Sequence, residues 1–326
     1  MRILITGATG LIGYHLVNYL IEDDTTTVYA VGRDLNRLKS TFVEISDKPN
    51  LRLCEYGKTL SHLEDVGHID IIYHLAGPTS PDDIKNRPVD VIQPNVVGLN
   101  AILDYAAHEK WNGYNCRVIV SSSVTVYQNN TNDDIVVSEE DSYSSNIAGD
   151  TSLCYSESKR FAEMLAHSYQ KQHGVDVIIV RIGYVYGYTK NIPHTTLFDF
   201  MNSAIFGEKI EIRNASLPRR DNIYIDDVIR GLIKAAMSAQ SGEVINISSN
   251  GEKGNFASLD EMASIICEAV YEDKNEIATK LIIPEISKRK SGVCADNSKL
   301  QQYGWVLGYS LEDGIKKMIA DIHNEK

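Results

Sequence analysis

Tyr155 and Lys159 stand four residues apart in a stretch that reads as helix through Ala162, Leu165 and Ala166. That spacing puts both side chains on one helical face, with the ammonium near the phenol. A free phenol titrates near ~10 and is a poor base at neutral pH. A neighbouring cation stabilises the phenolate and lowers that value, which makes tyrosine a usable acid or base for a carbinol proton. Upstream, Ser121, Ser122, Ser123 and Thr125 follow a predicted strand over 117–120. The carboxyl end of a parallel strand faces the ligand crevice, so hydroxyls there can meet a bound substrate. Either motif alone is common; a serine-rich turn by itself reads as structure.

A third motif gives the pair a partner. Residues 2–6 read as a strand, 7–13 as the glycine turn G-x-x-G-x-x-G, and 14–20 as a helix with Leu16, Val17 and Leu20 on one face. Gly7 permits a tight turn, Gly10 lets backbone approach a phosphate, and Gly13 lets helix pack on strand, while N–H groups at the helix start face the anion. The next predicted strand, 27–31, ends where such a fold reads the adenosine ribose. Gly32 and Arg33 stand there in place of a carboxylate, and a guanidinium can clamp a 2′-phosphate, so the expected cofactor is NADP, with NAD as the alternative. Asp34 reads as a helix cap or as the ribose contact itself.

Composition bounds the rest. The 326 residues suit two domains or one large α/β domain with an appendage. Lys plus Arg number 32 against 44 Asp plus Glu, a net charge of −12, which argues against a nucleic-acid partner and leaves any anionic ligand to a few placed cations. No apolar run is long enough for a bilayer, so a cytoplasmic protein without membrane contact is expected. The five cysteines lack C-x-x-C spacing and read as reduced core thiols, and the histidines show no paired-ligand pattern, so no metal is expected.

The elements that must position these groups alternate. Strands are predicted over 51–55, 69–75, 175–182 and 242–247, and helices over 95–107, 195–206, 259–271 and 310–323. His74, at a strand end, reads as a packed histidine rather than an acid or base. Gly98 implies close packing, and Asn95 a bond to backbone near the site. Asp226 and Asp227 read as caps of a helix carrying Val228, Ile229, Leu232 and Ile233.

TGATGLIG at 6–13, HLAG at 74–77, SSSVTVY at 121–127, YSESK at 155–159, RIGYVYG at 181–187 and RRDNIYIDD at 219–227 together resemble the extended short-chain dehydrogenase/reductases, in their nucleotide-sugar epimerase/dehydratase branch. The resemblance implies an α/β fold: a Rossmann-type doubly wound parallel sheet over 1–186, rejoined by 219–249, with a smaller, partly interleaved substrate domain from 187–218 and 250–326. It implies a homodimer acting on a nucleoside-diphosphate sugar. Ser123 and Thr125 would bond the reacting oxygen, Tyr155 would transfer the proton, and Lys159 would tune it and hold the nicotinamide ribose. Cofactor contacts would fall to Gly7, Gly10, Leu11, Ile12, Gly13, Arg33, Leu75, Ala76, Gly77, Asn95, Ser121, Tyr155 and Lys159. Substrate contacts would fall to Thr79, Ser123, Tyr184, Arg220 and Arg289.

Three departures narrow the chemistry. Dehydratase and decarboxylase members carry an acid just before the Val-Tyr dipeptide, where this chain has Val124 and Thr125. The family's Asn in R-x-x-N-V-Y-G is Tyr184, and an Asp that often meets adenine is Tyr56. Two outcomes fit, a 4-keto-sugar reductase and a 4-epimerase, with Gly32-Arg33 drawing toward the former. A cofactor-sensing protein without turnover is a third, and retention of Ser123, Tyr155 and Lys159 weighs against it.

Overall fold

The computed structural model describes residues 1–56, 66–127, 133–141, 150–190, 196–212, 218–271, 273–283 and 291–324. In chain order its strands are β1 (Arg2–Thr6), β2 (Thr27–Gly32), β3 (Leu51–Glu55), β4 (Ile71–His74), β5 (Arg117–Ser123), β6 (Ile135–Val137), β7 (Asp176–Ile182), β8 (Tyr184–Tyr186), β9 (Ile210–Glu211), β10 (Arg220–Tyr224), β11 (Val244–Ile247), β12 (Phe256–Ala257), β13 (Leu281–Ile282) and β14 (Val293–Ala295). The helices that matter below are α1 (Leu11–Leu20), α2 (Leu35–Thr41), α3 (Pro81–Asn86), α4 (Pro88–Gln93), α5 (Leu99–Trp111), α6 (Cys154–His173), α7 (Thr196–Ile205), α8 (Ile225–Ser238), α9 (Leu259–Val270), α10 (Lys274–Lys280), α11 (Ser298–Gln302) and α12 (Leu311–Asn324).

Seven strands form one parallel sheet in the order β3-β2-β1-β4-β5-β7-β11. Its strands are apolar on both faces, because helices cover both. Ile3, Ile5, Ala30, Tyr73, Ile178 and Val180 enter one buried cluster; Leu4, Val31, Ile72, Val118, Val177 and Ile179 enter the other. This is the Rossmann-type arrangement, and its strand order reverses between β1 and β4, where a crevice opens at their carboxyl ends.

The smaller sheet runs β12-β10-β14-β6, with β8 paired to β10. Its strands come from both sides of residue 187. After residue 219 the chain therefore first adds β10 to the smaller sheet, and only α8 and β11 return to the large one. Between the two later segments, β9 pairs with β13, and the Tyr271 hydroxyl donates to the Ala204 carbonyl at 2.7 Å.

Two local expectations change. The helix predicted from residue 95 opens as a π-turn, Pro94–Gly98, before α5; Pro94 has no N–H to give the preceding turn. Asp226 and Asp227 are not caps. Tyr224 precedes α8 without a side-chain cap bond, and buried Asp227 accepts from the N–H groups of Gly308 at 2.7 Å and Tyr309 at 3.0 Å. Trp305 Nε1 donates to the Asp227 carbonyl at 3.1 Å. Asp227 thus pegs the segment that leads into α12. None of the five cysteines forms a disulfide, and four of them are buried.

Candidate active site

The glycine turn is sterically set. Gly7 has φ +70°, and a Cβ there would stand 2.9 Å from Ala76 backbone; one on Gly13 would stand 2.3 Å from the Gly7 carbonyl oxygen. Only hydrogen fits at either place. No side chain caps α1 at Gly10, so the N–H groups of its first turn, at Leu11, Ile12 and Gly13, face the crevice. The loop of Leu75, Ala76 and Gly77 crosses this turn, held where the Ala76 N–H donates to Thr6 Oγ1 at 3.2 Å.

His74 secures the same corner. Its Nδ1 meets Thr6 Oγ1 at 3.0 Å and its Nε2 meets the Pro94 carbonyl at 3.1 Å, which fixes Nε2 as the protonated nitrogen. Burial first, then the Lys159 charge, hold its pKa down to about 3, so it stays neutral and structural. Beside it the Asn95 amide donates to the Val91 carbonyl at 2.9 Å and to Ser158 Oγ at 3.1 Å, beneath Gly77. Gly98 packs tightly as expected, since a Cβ there would strike the Tyr56 hydroxyl.

β5 runs three residues past the predicted end and delivers its serines in register. Lys159, buried in the first half of α6, donates to the Ser121 carbonyl at 2.7 Å and to Ser121 Oγ at 3.2 Å. Ser123 bonds Tyr155 and also accepts the Thr125 N–H at 3.2 Å. The hydroxyl of Thr125 is buried without a hydrogen-bond partner among the described residues. A buried donor left unpaired costs roughly 1–3 kcal/mol, so its orphaned state points to a ligand group.

The phenol does not titrate as the sequence implies. Burial pushes Tyr155 up to about 12, against the pull of the Ser123 hydrogen bond, with a smaller upward push from Tyr184. The Lys159 ammonium lies 5.8 Å from the Tyr155 ring centre and spends bonds on Ser121. Its own pKa falls to about 8 by burial, partly opposed by Glu163. Desolvation outweighs the cation here, and Tyr155 is held as the neutral acid.

Sequence reasoning missed two supports. Ser122 Oγ donates to Glu163 at 2.5 Å, and Arg181 forks onto both Glu163 oxygens, Nε at 3.0 Å and Nη2 at 2.8 Å. Arg181 Nη1 also donates to the Tyr127 hydroxyl at 2.8 Å, and that hydroxyl donates to Asn246 at 2.9 Å. Glu163 follows Lys159 by four, the spacing that could have found it. The second support is Arg37, which with Thr9, Arg33 and Asp34 lines a cleft of about 350 Å³ beyond the glycine turn. Asp34 accepts from the N–H groups of Asn36 at 2.7 Å and Arg37 at 3.2 Å, so it does cap α2.

Thr79 is exposed in the loop before α3. Arg220 and Tyr184 come together on neighbouring strands, the guanidinium carbon 4.8 Å from the ring centre. Arg289 lies outside the described residues.

The NAD dependent epimerase/dehydratase family matches residues 3–248. The chain belongs to that family. Among this epimerase/dehydratase chain's relatives, UDP-glucuronic acid decarboxylase 6 of Arabidopsis thaliana is 30% identical, covering 98% of this chain and 88% of the relative. The dTDP-D-glucose 4,6-dehydratase of Mus musculus is 26% identical over 100% of this chain and 90% of its own. Among solved structures, UDP-glucuronic acid 4-epimerase from Bacillus cereus in complex with NAD superposes with a TM-score of 0.77 at 25% identity, covering 100% of this chain and 99% of the other. The epimerase/dehydratase match spans the glycine turn, the serines and the Tyr155–Lys159 pair in one stretch.

Proposed function

We propose that this chain is a nucleoside-diphosphate-sugar oxidoreductase using NADP(H), working as a reductase of a 4-keto sugar. The observation that carries the reading is the meeting of Ser123, Tyr155 and Lys159 at the carboxyl end of β5. The rigid glycine turn and the crevice beside it suit a dinucleotide, and a bound nicotinamide supplies the hydride. The chain's own part is the proton. Tyr155, kept neutral by burial, donates to the carbonyl oxygen as it gains charge, and Ser123 orients that oxygen. Lys159 places a positive charge behind the phenol as the proton leaves.

Val124 and Thr125 carry no acid, which supports reduction over elimination of water or loss of a carboxyl group, the reactions named for the two curated relatives above. Arg33 and Arg37 support NADP: two guanidiniums beside Thr9 on a chain of net charge −12 form a local anion site. Replacing both by Ala is expected to lower kcat/KM with NADPH by about tenfold or more while sparing NADH, since a bond to a charged group is worth roughly 1.5–3 kcal/mol. Equal losses with both cofactors would return the assignment to NAD.

A second reading, 4-epimerase, is favoured by the serine-rich run ending in Val124-Thr125, which resembles epimerases. Two assays separate them: NADPH consumption with a 4-keto sugar nucleotide, and interconversion of 4-hydroxy isomers without added cofactor. Val97, Phe161 and Met164, exposed on the π-turn and α6, support a homodimer through that face; sedimentation of Phe161→Glu would give a monomer.

A further inference from the structure

Tyr184 opens β8 beside Arg220, and the structure constrains it from two sides. β8 lies hard against β10: Tyr184 is in register with Asn222, and a Cβ on the preceding Gly183 would stand 2.8 Å from the Asp221 carbonyl oxygen. The face of its ring is covered by Arg220, at 4.8 Å. Tyr184 also adds a smaller upward push to the pKa of Tyr155. The residue is nonetheless 36% exposed, so part of it stays open to solvent.

The two neighbouring arginines are disposed differently. Arg219 is engaged by Glu261, with Nε at 3.2 Å from both carboxylate oxygens and Nη2 at 2.6 Å from one. Arg220 has no carboxylate partner among the described residues, and the aromatic face is its neighbour. A guanidinium stacked on a ring uses its flat face for the stack and keeps its N–H edge in plane, the geometry that forks onto phosphate oxygens.

Resting on the sugar-nucleotide reading above, we propose that Tyr184 is a positioning and specificity residue: its ring holds Arg220 edge-on to the substrate's diphosphate. With Arg220 on its face, Tyr184 sets the direction from which the guanidinium edge meets the phosphates. An aliphatic or amide side chain at residue 184 would leave Arg220 free to turn toward solvent. The ring carries the function in ligand binding; the hydroxyl carries none of it.

The test is a double-mutant cycle on binding of UDP, dTDP, GDP and CDP by calorimetry, with NADPH binding as the fold control. Tyr184→Leu and Arg220→Ala are each expected to weaken the nucleotide that binds wild type by about tenfold, and the double variant by little more than either alone, because a stacked pair is lost as a unit. Tyr184→Phe is expected to bind within about twofold of wild type, since it keeps the stack. Full affinity in Tyr184→Leu, or losses that multiply in the double variant, would overturn the inference while leaving the function standing. A wild-type chain that binds NADPH but none of the four nucleotides would remove the substrate reading and this one with it.

Discussion

At the residue scale, the site pays for Lys159 in stability. A lysine buried to 4% exposure, with its pKa lowered from 10.5 to about 8, is a charge placed where the fold would prefer none. Below pH 8 it is protonated both folded and unfolded, so the whole burial cost is present. Between about 8 and 10.5 the folded chain sheds this proton before the unfolded chain does, and stability from this group rises with pH. Lys159→Met is therefore expected to raise Tm at pH 7, with the gain shrinking as the pH climbs through that window, while turnover is lost. A variant that is less stable than wild type at pH 7 would show that the bonds to Ser121 outweigh the burial cost. Tyr155 runs the other way: burial raises it to about 12, which keeps it a proton donor across the physiological range. That inversion was not legible in the sequence. Spacing shows that a cation is near a phenol, but not how much solvent both have lost.

At the element scale, α6 and the end of β5 are locked by the Ser122–Glu163–Arg181 bonds. Glu163→Ala would leave Arg181 buried without its carboxylate, a loss of about 3–5 kcal/mol where one partner of such a pair is removed. The expected result is a large fall in Tm. Glu163→Gln keeps the Ser122 bond and part of the fork, and should keep the fold with a lower kcat at unchanged KM, because the register of Ser123 against Tyr155 is what it guards. A second element prediction concerns the turn: Gly13→Ala, with its Cβ 2.3 Å from the Gly7 oxygen, should abolish NADPH binding measured by fluorescence. These elements were the readable ones. The glycine turn, the buried parallel strands and the Tyr155 helix each announce themselves within a single stretch, through period and neighbouring residues. The smaller sheet does not. β6, β8, β10 and β14 are three to five residues long and find one another across long separations, so no local period marks their pairing. Asp227 misled for a similar reason, since its partners, Gly308 and Tyr309, lie far along the chain.

At the scale of the whole molecule, a chain of net charge −12 must meet an anionic ligand with a few placed cations. Arg33 and Arg37 line the cleft beyond the glycine turn, Arg220 stacks on Tyr184, and Lys159 is buried against the end of β5. On the proposed function, the Arg33–Arg37 cleft would meet the dinucleotide and Arg220 the diphosphate, with the reacting carbon at the strand-end hydroxyls and the phenol. The segment leading into α12 is held to α8 through Asp227 and Trp305. The most direct test of the central claim is a single-turnover reaction of wild type and Tyr155→Phe, each preloaded with NADPH and mixed with a 4-keto sugar nucleotide while the nicotinamide absorbance is followed. Wild type should oxidise its NADPH, and Tyr155→Phe should bind NADPH as tightly yet oxidise it at least about a hundredfold more slowly, the scale of a lost general acid. Oxidation by Tyr155→Phe at the wild-type rate would contradict the assignment of Tyr155 as the proton donor.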